Sequence, residues 1–318
     1  MSARTIEISV KGRWVCVPAF DVKGLTIFAS GRALKIAEIH QEYWCKDEVE
    51  DPASYVDPIK TSKLNADLFA FTQKLPNTTP RFSYPFRMKS IAAIRVSSFD
   101  DWWRRVSSDT RRNVKLSKSR GLVLRIEQFN EDLVRGIVGI NNETPIRQGR
   151  KFWHYGKTYE EVKKDYSSFP DRSYYVAAYI DDELVAFLKA VVVGDVLAIM
   201  QNLSKMRYRD KKPANALIAK AVEIAAEKNL KYITYFQYQY GNKRNDPLTE
   251  FKRRNGFEEL RLPRFFVPLT LKGRLALNFG LHRPLSEILP GGVSDSLLGL
   301  RSRWHSWRNG PTNSAAKE

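Results

Sequence analysis

The segment FKRRNGF (251–257) places an ammonium group, Lys252, four residues before a glycine, with Arg253 and Arg254 beside it. An ammonium can neutralise a developing oxyanion, or donate a proton if burial lowers its pKa. On a plain basic helix surface it would do neither. A second cluster, RQGRKFWHYGK (147–157), packs four basic residues, a Trp, a His and a Tyr into eleven positions with no period of 2 or 3.6. There Arg147, Arg150, Trp153 and Tyr155 can grip an acidic group and stack on a sugar or base. His154, or Glu143 just before the cluster, can act as a general base. The alternative is that the aromatic side chains fill a crevice beneath a long loop.

A third cluster, RYRDKKPANAL, joins the end of a strand to a helix whose first turn suits Pro213. Arg207, Arg209, Lys211 and Lys212 precede that helix start, where free backbone N–H groups and the dipole favour a pyrophosphate. A solvated basic turn is the simpler reading. The strands before and after the helix, VLAIMQNLS and KYITYFQYQYGN, end in Gln201, Asn202, Gln237, Gln239 and Tyr240, amide and phenol groups able to hold a developing oxyanion. Upstream, Arg111, Lys115 and Lys118 fall at i, i+4 and i+7 with Arg112 alongside, a positive stripe suited to a phosphate, an anionic glycan or solvent. No Ser or Cys stands in a nucleophile motif, so a covalent acyl-enzyme is not implied. Cys16 and Cys45 make neither a disulfide framework nor a metal spacing, which points to a reducing cytosol and no metal.

These groups need a scaffold to position them. The sequence predicts a β-rich unit over 1–95, with glycine-turn hairpins, a helical period over 60–75 (Leu64, Leu68, Phe71, Leu75) and a crossing loop over 76–85. From residue 99 the expected order is a basic helix to Gly121, a strand, a helix capped by Asn130, the aromatic loop and a short helix. A three-strand meander, the helix 213–229, a strand through 231–239, a helix ending at Gly256 and closing strand material follow. The apolar window 184–200 is broken by Lys189, Gly194 and Asp195 and reads as two core strands, not a membrane span. The start lacks the apolar region of a signal peptide. The net charge of +18 favours anionic partners. In the tail, Leu297, Leu300, Trp304 and Trp307 share one side with interspersed arginines, as in an interfacial helix at an anionic membrane or a helix docked on the domain.

The order of elements resembles the GNAT acyltransferase fold, an α+β arrangement with a mixed, mostly antiparallel sheet flanked by helices. SDTRRNVKLSKSRG and FKRRNGFEE look like the basic helix and the FK element with GF turn of its Fem-like branch, the peptidoglycan peptidyltransferases and their relatives. The likeness covers about residues 99–270 and divides the chain into a β-rich N-terminal unit (1–95, a truncated GNAT-like half), a GNAT-like domain (96–270) and a basic amphipathic tail (271–318). It implies a cytoplasmic or membrane-peripheral N-acyltransferase in cell-envelope or polysaccharide assembly. The donor would be acyl-CoA as co-substrate and the acceptor an amine on an anionic or nucleotide-linked molecule. Lys252 would stabilise transition-state charge. Two alternatives stand beside this: an aminoacyl-tRNA-dependent transferase, and a non-catalytic ligand-binding module on the same fold.

Overall fold

The computed structural model describes residues 4–10, 13–147, 149–239 and 247–281; Tyr240 and the tail helix expected around Leu297–Trp307 lie outside them. In chain order the elements are β1 (Arg4–Val10), β2 (Arg13–Val22), β3 (Leu25–Ser30), β4 (Ile36–Ile39), α1 (Ala53–Thr61), β5 (Leu68–Thr72) and β6 (Phe86–Arg95). Then come α2 (Phe99–Arg105), α3 (Ser108–Ser119), β7 (Val123–Glu127), α4 (Glu131–Asn141), the short strands β8 (Ile146–Arg147) and β9 (Arg150–Lys151), and α5 (Tyr159–Tyr166). Next are β10 (Ser173–Ile180), β11 (Glu183–Val193), β12 (Val196–Ser204), α6 (Pro213–Glu227), β13 (Tyr232–Thr234), α7 (Pro247–Arg254), β14 (Glu258–Pro268) and α8 (Leu271–Asn278).

Twelve strands form one sheet in the order β1-β2-β3-β4-β5-β14-β6-β13-β12-β11-β10-β7. Two parallel pairs, β4–β5 and β12–β13, lie on either side of the antiparallel pair β14–β6. Each pair is joined by a helix, α1 or α6, because a parallel connection must cross back over the sheet. The chain therefore repeats one unit, and the strand that follows each parallel pair crosses to the other half: β6 pairs with β13, and β14 with β5. The GNAT fold expected from the element order is present.

Three local expectations are corrected. The helical period over 60–75 is overridden: Leu68–Thr72 is strand β5, buried on both faces, and a continuous apolar run LFAF satisfies a central strand as well as a helix. The basic helix from residue 99 is two helices, since Ser107 leaves helical geometry and its side chain accepts from Thr110 N–H as the cap of α3. The strand expected through 231–239 pairs regularly only over Tyr232–Thr234. Strand β6, a central one, is absent from the sequence expectation altogether.

Helix α6 is buried on nearly every side, with the sheet beneath it and α2 and α3 above. On the opposite face α4 and α5 cover β10 and β11. A chain of buried amides ties the first layer to α7: Asn113 donates to Asn215 (3.4 Å), Asn215 to Asn255 (2.9 Å), and the Trp102 indole N–H to the Asn255 carbonyl (3.0 Å). Gly256 follows at φ +86°, and a Cβ there would come within 3.0 Å of the Trp102 ring, so only glycine lets the chain turn this close to the indole. Trp102 is 1 % exposed. Trp102→Ala is therefore expected to cost about 3–5 kcal/mol, measured by urea unfolding, and to loosen α7.

Candidate functional site

The site is built where β12 and β13 part. Their parallel pairing covers only Val196–Ala198 against Tyr232–Thr234. A bulge near Met200, visible as the register shift between Lys189↔Gln201 and Ala190↔Ile199, bends β12 away beyond that point. Phe236 sits at φ +48°, a left-handed conformation unusual for a bulky residue, and keeps its chain on β6 through Ala92 N–H to Phe236 C=O (2.8 Å). The cleft between the diverging chains is thus lined by backbone that has lost its ladder partner.

Lys252 reaches this backbone from α7. It is fully buried, its ammonium donates to the Gln237 carbonyl, and it lies 4.8 Å from the centre of the Tyr235 ring. Thr249, one turn earlier, donates to the Tyr238 carbonyl (3.2 Å). The FKRR segment therefore carries a buried cation at the diverging chain, while Arg253 and Arg254 face solvent and pair with Glu250. The sequence pattern singles out Lys252, but its burial depends on α7 lying over 237–238.

Asn202 is directly opposite Leu188, which packs on the α6 side, and both polar atoms of its amide are buried without a hydrogen-bond partner. Gln201 points the other way, its amide nitrogen 3.2 Å from His154 Nε2 and 3.4 Å from the Tyr166 hydroxyl, its oxygen accepting from Asn202 N–H. An amide NH₂ can only donate, so His154 Nε2 is the acceptor and its proton sits on Nδ1. That Nδ1 is buried and unpartnered, as is the whole side-chain amide of Asn141 at the end of α4. Burial, then Lys157 and Arg147, push the His154 pKa down to about 4. The imidazole is neutral at pH 7 but its free lone pair is already engaged by Gln201, so it orients groups in this arrangement and does not stand ready as a base.

Other expected residues prove to be supports. The Glu143 carboxylate accepts from Met206 and Arg207 N–H and so pins the start of the 3-10 turn 206–211. Arg147 donates to Ile140 C=O (2.8 Å) and Ser204 C=O (2.9 Å), and its guanidinium lies 3.8 Å from the Phe152 ring centre. Arg111 donates to the carbonyls that end α2, the shortest being Val106 at 2.7 Å. Glu143, Arg147 and Arg111, expected to act on a proton or hold an acceptor, thus bond backbone groups in this structure. Arg150, Trp153 and Tyr155 remain exposed, Trp153 by 60 %. Arg112, paired with Asp109, and Lys115 line a shallow basic depression on α3. The loop and α3 flank the turn 206–211 from opposite faces of the sheet and do not form a single acceptor wall.

The basic turn itself keeps part of the expected chemistry. Arg207 pairs with Glu183, and Lys211 lies 3.8 Å from Asp210, while Arg209 is exposed. Lys212 stands at the helix start in a left-handed conformation. Pro213 brings no N–H, so Ala214 and Asn215 carry the first-turn donors. Gln237 contributes through its backbone carbonyl, the acceptor for Lys252. Two groups the sequence did not mark are Tyr166 and Lys189. Lys189 is wholly buried on β11 and donates to the carbonyls of Tyr166 (2.8 Å) and Ser168 (2.7 Å) at the end of α5; burial takes its pKa down to about 7. Its interruption of an apolar strand was the only signal in the sequence.

Residues 142–257 match the model of the acetyltransferase (GNAT) family. Over these residues the chain is similar to a GNAT acetyltransferase domain, and the likeness of fold extends over nearly its whole length. FemX superposes with a TM-score of 0.55 at 10 % identity, over 87 % of this chain and 90 % of that one. The C-terminal domain of a putative lysylphosphatidylglycerol synthetase from Agrobacterium fabrum gives a TM-score of 0.54 at 10 % identity, over 82 % of this chain and 86 % of that one. No curated protein matches. The resemblance to the Fem-like branch read from the basic helix and FKRRNGF agrees with these findings. Among the described residues no helix is long and apolar enough to cross a membrane.

The depressed His154 pKa makes stability depend on pH. The unfolded imidazole, with its ordinary pKa near 6.5, binds a proton that the folded one refuses until about pH 4. Stability is therefore full above about pH 7 and falls as the pH drops from 6.5 to 4, by roughly 3 kcal/mol in all. Urea unfolding across that range is expected to show the loss in the wild type and a flatter profile in His154→Gln.

Proposed function

We propose that the protein is an N-acyltransferase that moves an acyl group from an activated donor to an amine, in one ternary complex. The observation that carries this is the parted β12–β13 backbone with the buried Lys252 ammonium held against it. A donor carbonyl lying in the cleft would be attacked by the acceptor nitrogen. Its oxygen would gain charge beside the ammonium, and collapse would break the bond to the leaving thiolate or alkoxide, which takes up the proton the amine gives off. Acyl-CoA is the donor that this reading places first as co-substrate, its pyrophosphate at Lys211, Lys212 and the start of α6. Asn202 would offer its unpartnered amide to the donor's arm. The acceptor would be an anionic or nucleotide-linked amine met by Arg150, Trp153 and Tyr155, as in cell-envelope or polysaccharide assembly. The reading divides the chain into an N-terminal unit (1–95), the acyltransferase domain (96–270) and a basic tail (271–318) that could rest on an anionic membrane, the whole being cytoplasmic or membrane-peripheral.

A second reading takes an aminoacyl-tRNA as donor. It is favoured by Pro213 and by Glu143, which together remove three backbone N–H groups from the turn that would otherwise cradle a pyrophosphate. Calorimetric titration with coenzyme A and acetyl-coenzyme A is expected to show saturable binding that Lys211→Ala/Lys212→Ala weakens at least tenfold. No binding, with a salt-dependent shift of charged tRNA instead, would replace the first reading by the second.

The role of Lys252 has its own test. Lys252→Met keeps the buried volume and removes the charge, and is expected to lower single-turnover acyl transfer by about a hundredfold or more while leaving donor affinity within a few-fold. Unchanged turnover would instead make the fold a ligand-binding module.

A further inference from the structure

A cavity of about 390 Å³ opens on the α4–α5 face of the sheet, beside the parted strands. Its walls include Ile91, Val193, Val196, Thr234, Phe236 and Leu262, contributed by β6, β11, β12, β13, β14 and the residues next to them. The N-terminal half closes it with Tyr43 and with Thr72–Leu75, at the end of β5. Both halves of the repeat therefore build it, and neither forms it alone.

Most of the charges around it are matched, and Lys46 stands exposed at its rim. Glu42 accepts from the Thr72 hydroxyl (2.9 Å) and Arg264 (3.0 Å), and Asp195 pairs with Lys231 (2.6 Å). Glu48 accepts from Lys74 N–H (3.1 Å), and the Lys74 ammonium is turned onto the Asp47 carbonyl (2.7 Å). The larger part of what faces the space is branched aliphatic and aromatic carbon. Phe236 is fixed there by edge contacts with Trp44 (5.7 Å) and Tyr43 (6.2 Å) and by its left-handed backbone. The next residue, Gln237, is the one whose carbonyl holds Lys252. The cavity wall and the buried ammonium are thus one residue apart along the chain.

We infer that this cavity seats the apolar chain of the acyl group being transferred, with the carbonyl end toward Gln237 and Lys252. At roughly 30 Å³ per methylene, the share a water molecule of similar size takes in the liquid, it holds a chain of up to about thirteen carbons. This rests on the acyl-transfer reading and narrows it to medium-chain donors. Each buried methylene strengthens binding by about three- to fourfold.

The test compares acetyl-coenzyme A, decanoyl-coenzyme A and free decanoate by calorimetry on the full chain. Wild type is expected to bind decanoyl- at least a hundredfold more tightly than acetyl-coenzyme A. Val196→Phe and, independently, Thr234→Phe, each shown folded by circular dichroism, should cut that preference below tenfold and leave acetyl-coenzyme A binding unchanged. Equal affinity for the two thioesters would overturn the chain site while leaving acyl transfer standing. If neither thioester binds, decanoate decides: binding that both variants abolish keeps the cavity as a chain site and removes coenzyme A as the donor, and no binding overturns the inference.

Discussion

Two neighbouring strands that stop pairing leave backbone groups that must find other partners, and much of this structure answers that demand. After Thr234 the chain leaves β12, and its carbonyls at Gln237 and Tyr238 are taken by Lys252 and Thr249 of α7. A buried carbonyl without a donor would cost on the order of 1–3 kcal/mol, so α7 is bound to this place by the same interactions that keep the cleft open. The amide chain from Asn113 through Asn215 to Asn255 then locks α7 to α6 and α3. Lys252 is consequently buried by the architecture around it, in a place where water cannot weaken its field.

The same demand arises in the N-terminal half and is met differently. There the parallel pair β4–β5 ends at Glu38 and Ala70, and the Glu42 carboxylate accepts from both the N–H and the hydroxyl of Thr72. Arg264, reaching over from β14, neutralises Glu42 and Glu38. One half of the repeat fills its parting with an ion-paired carboxylate, and the other leaves it for a cation and the unpartnered amide of Asn202. The exchange of β6 and β14 between halves makes the two inseparable, because each half takes its final strand from the other.

On the opposite face, the 143–157 loop divides into supports and exposed groups. Glu143 and Arg147 are spent on backbone carbonyls and N–H groups, which fixes the loop against the end of β12. His154 is carried inward by that anchoring, to where its imidazole is neutral and bonded by Gln201. Trp153 and Tyr155 are left on the surface. The aromatic residues in this stretch thus have two fates: Phe152 is buried beneath Arg147, and its neighbours are presented outward.

Much of the scaffold was legible in the residues. The meander, the sheet-packed α6, the caps at Asn130 and Pro213 and the glycine at the end of α7 follow from local periodicity and turn chemistry, which neighbours in sequence decide. Lys252 was marked by the resemblance of FKRRNGFEE to the FK element of the Fem-like branch, which implies a charge-stabilising lysine there. Strands β5 and β6 were not legible, because LFAF and SIAAI are short apolar runs whose period does not separate strand from helix. Only their place at the centre of a twelve-stranded sheet settles them. Likewise, nothing local tells a free arginine from one that bonds carbonyls, so Arg111 and Arg147 looked like ligands until long-range partners were seen. The sequence by itself determined which side chains could do chemistry and on what elements they sit. Tertiary structure alone decided which of them are buried, paired or open, because burial and hydrogen bonding are set by residues distant in the chain.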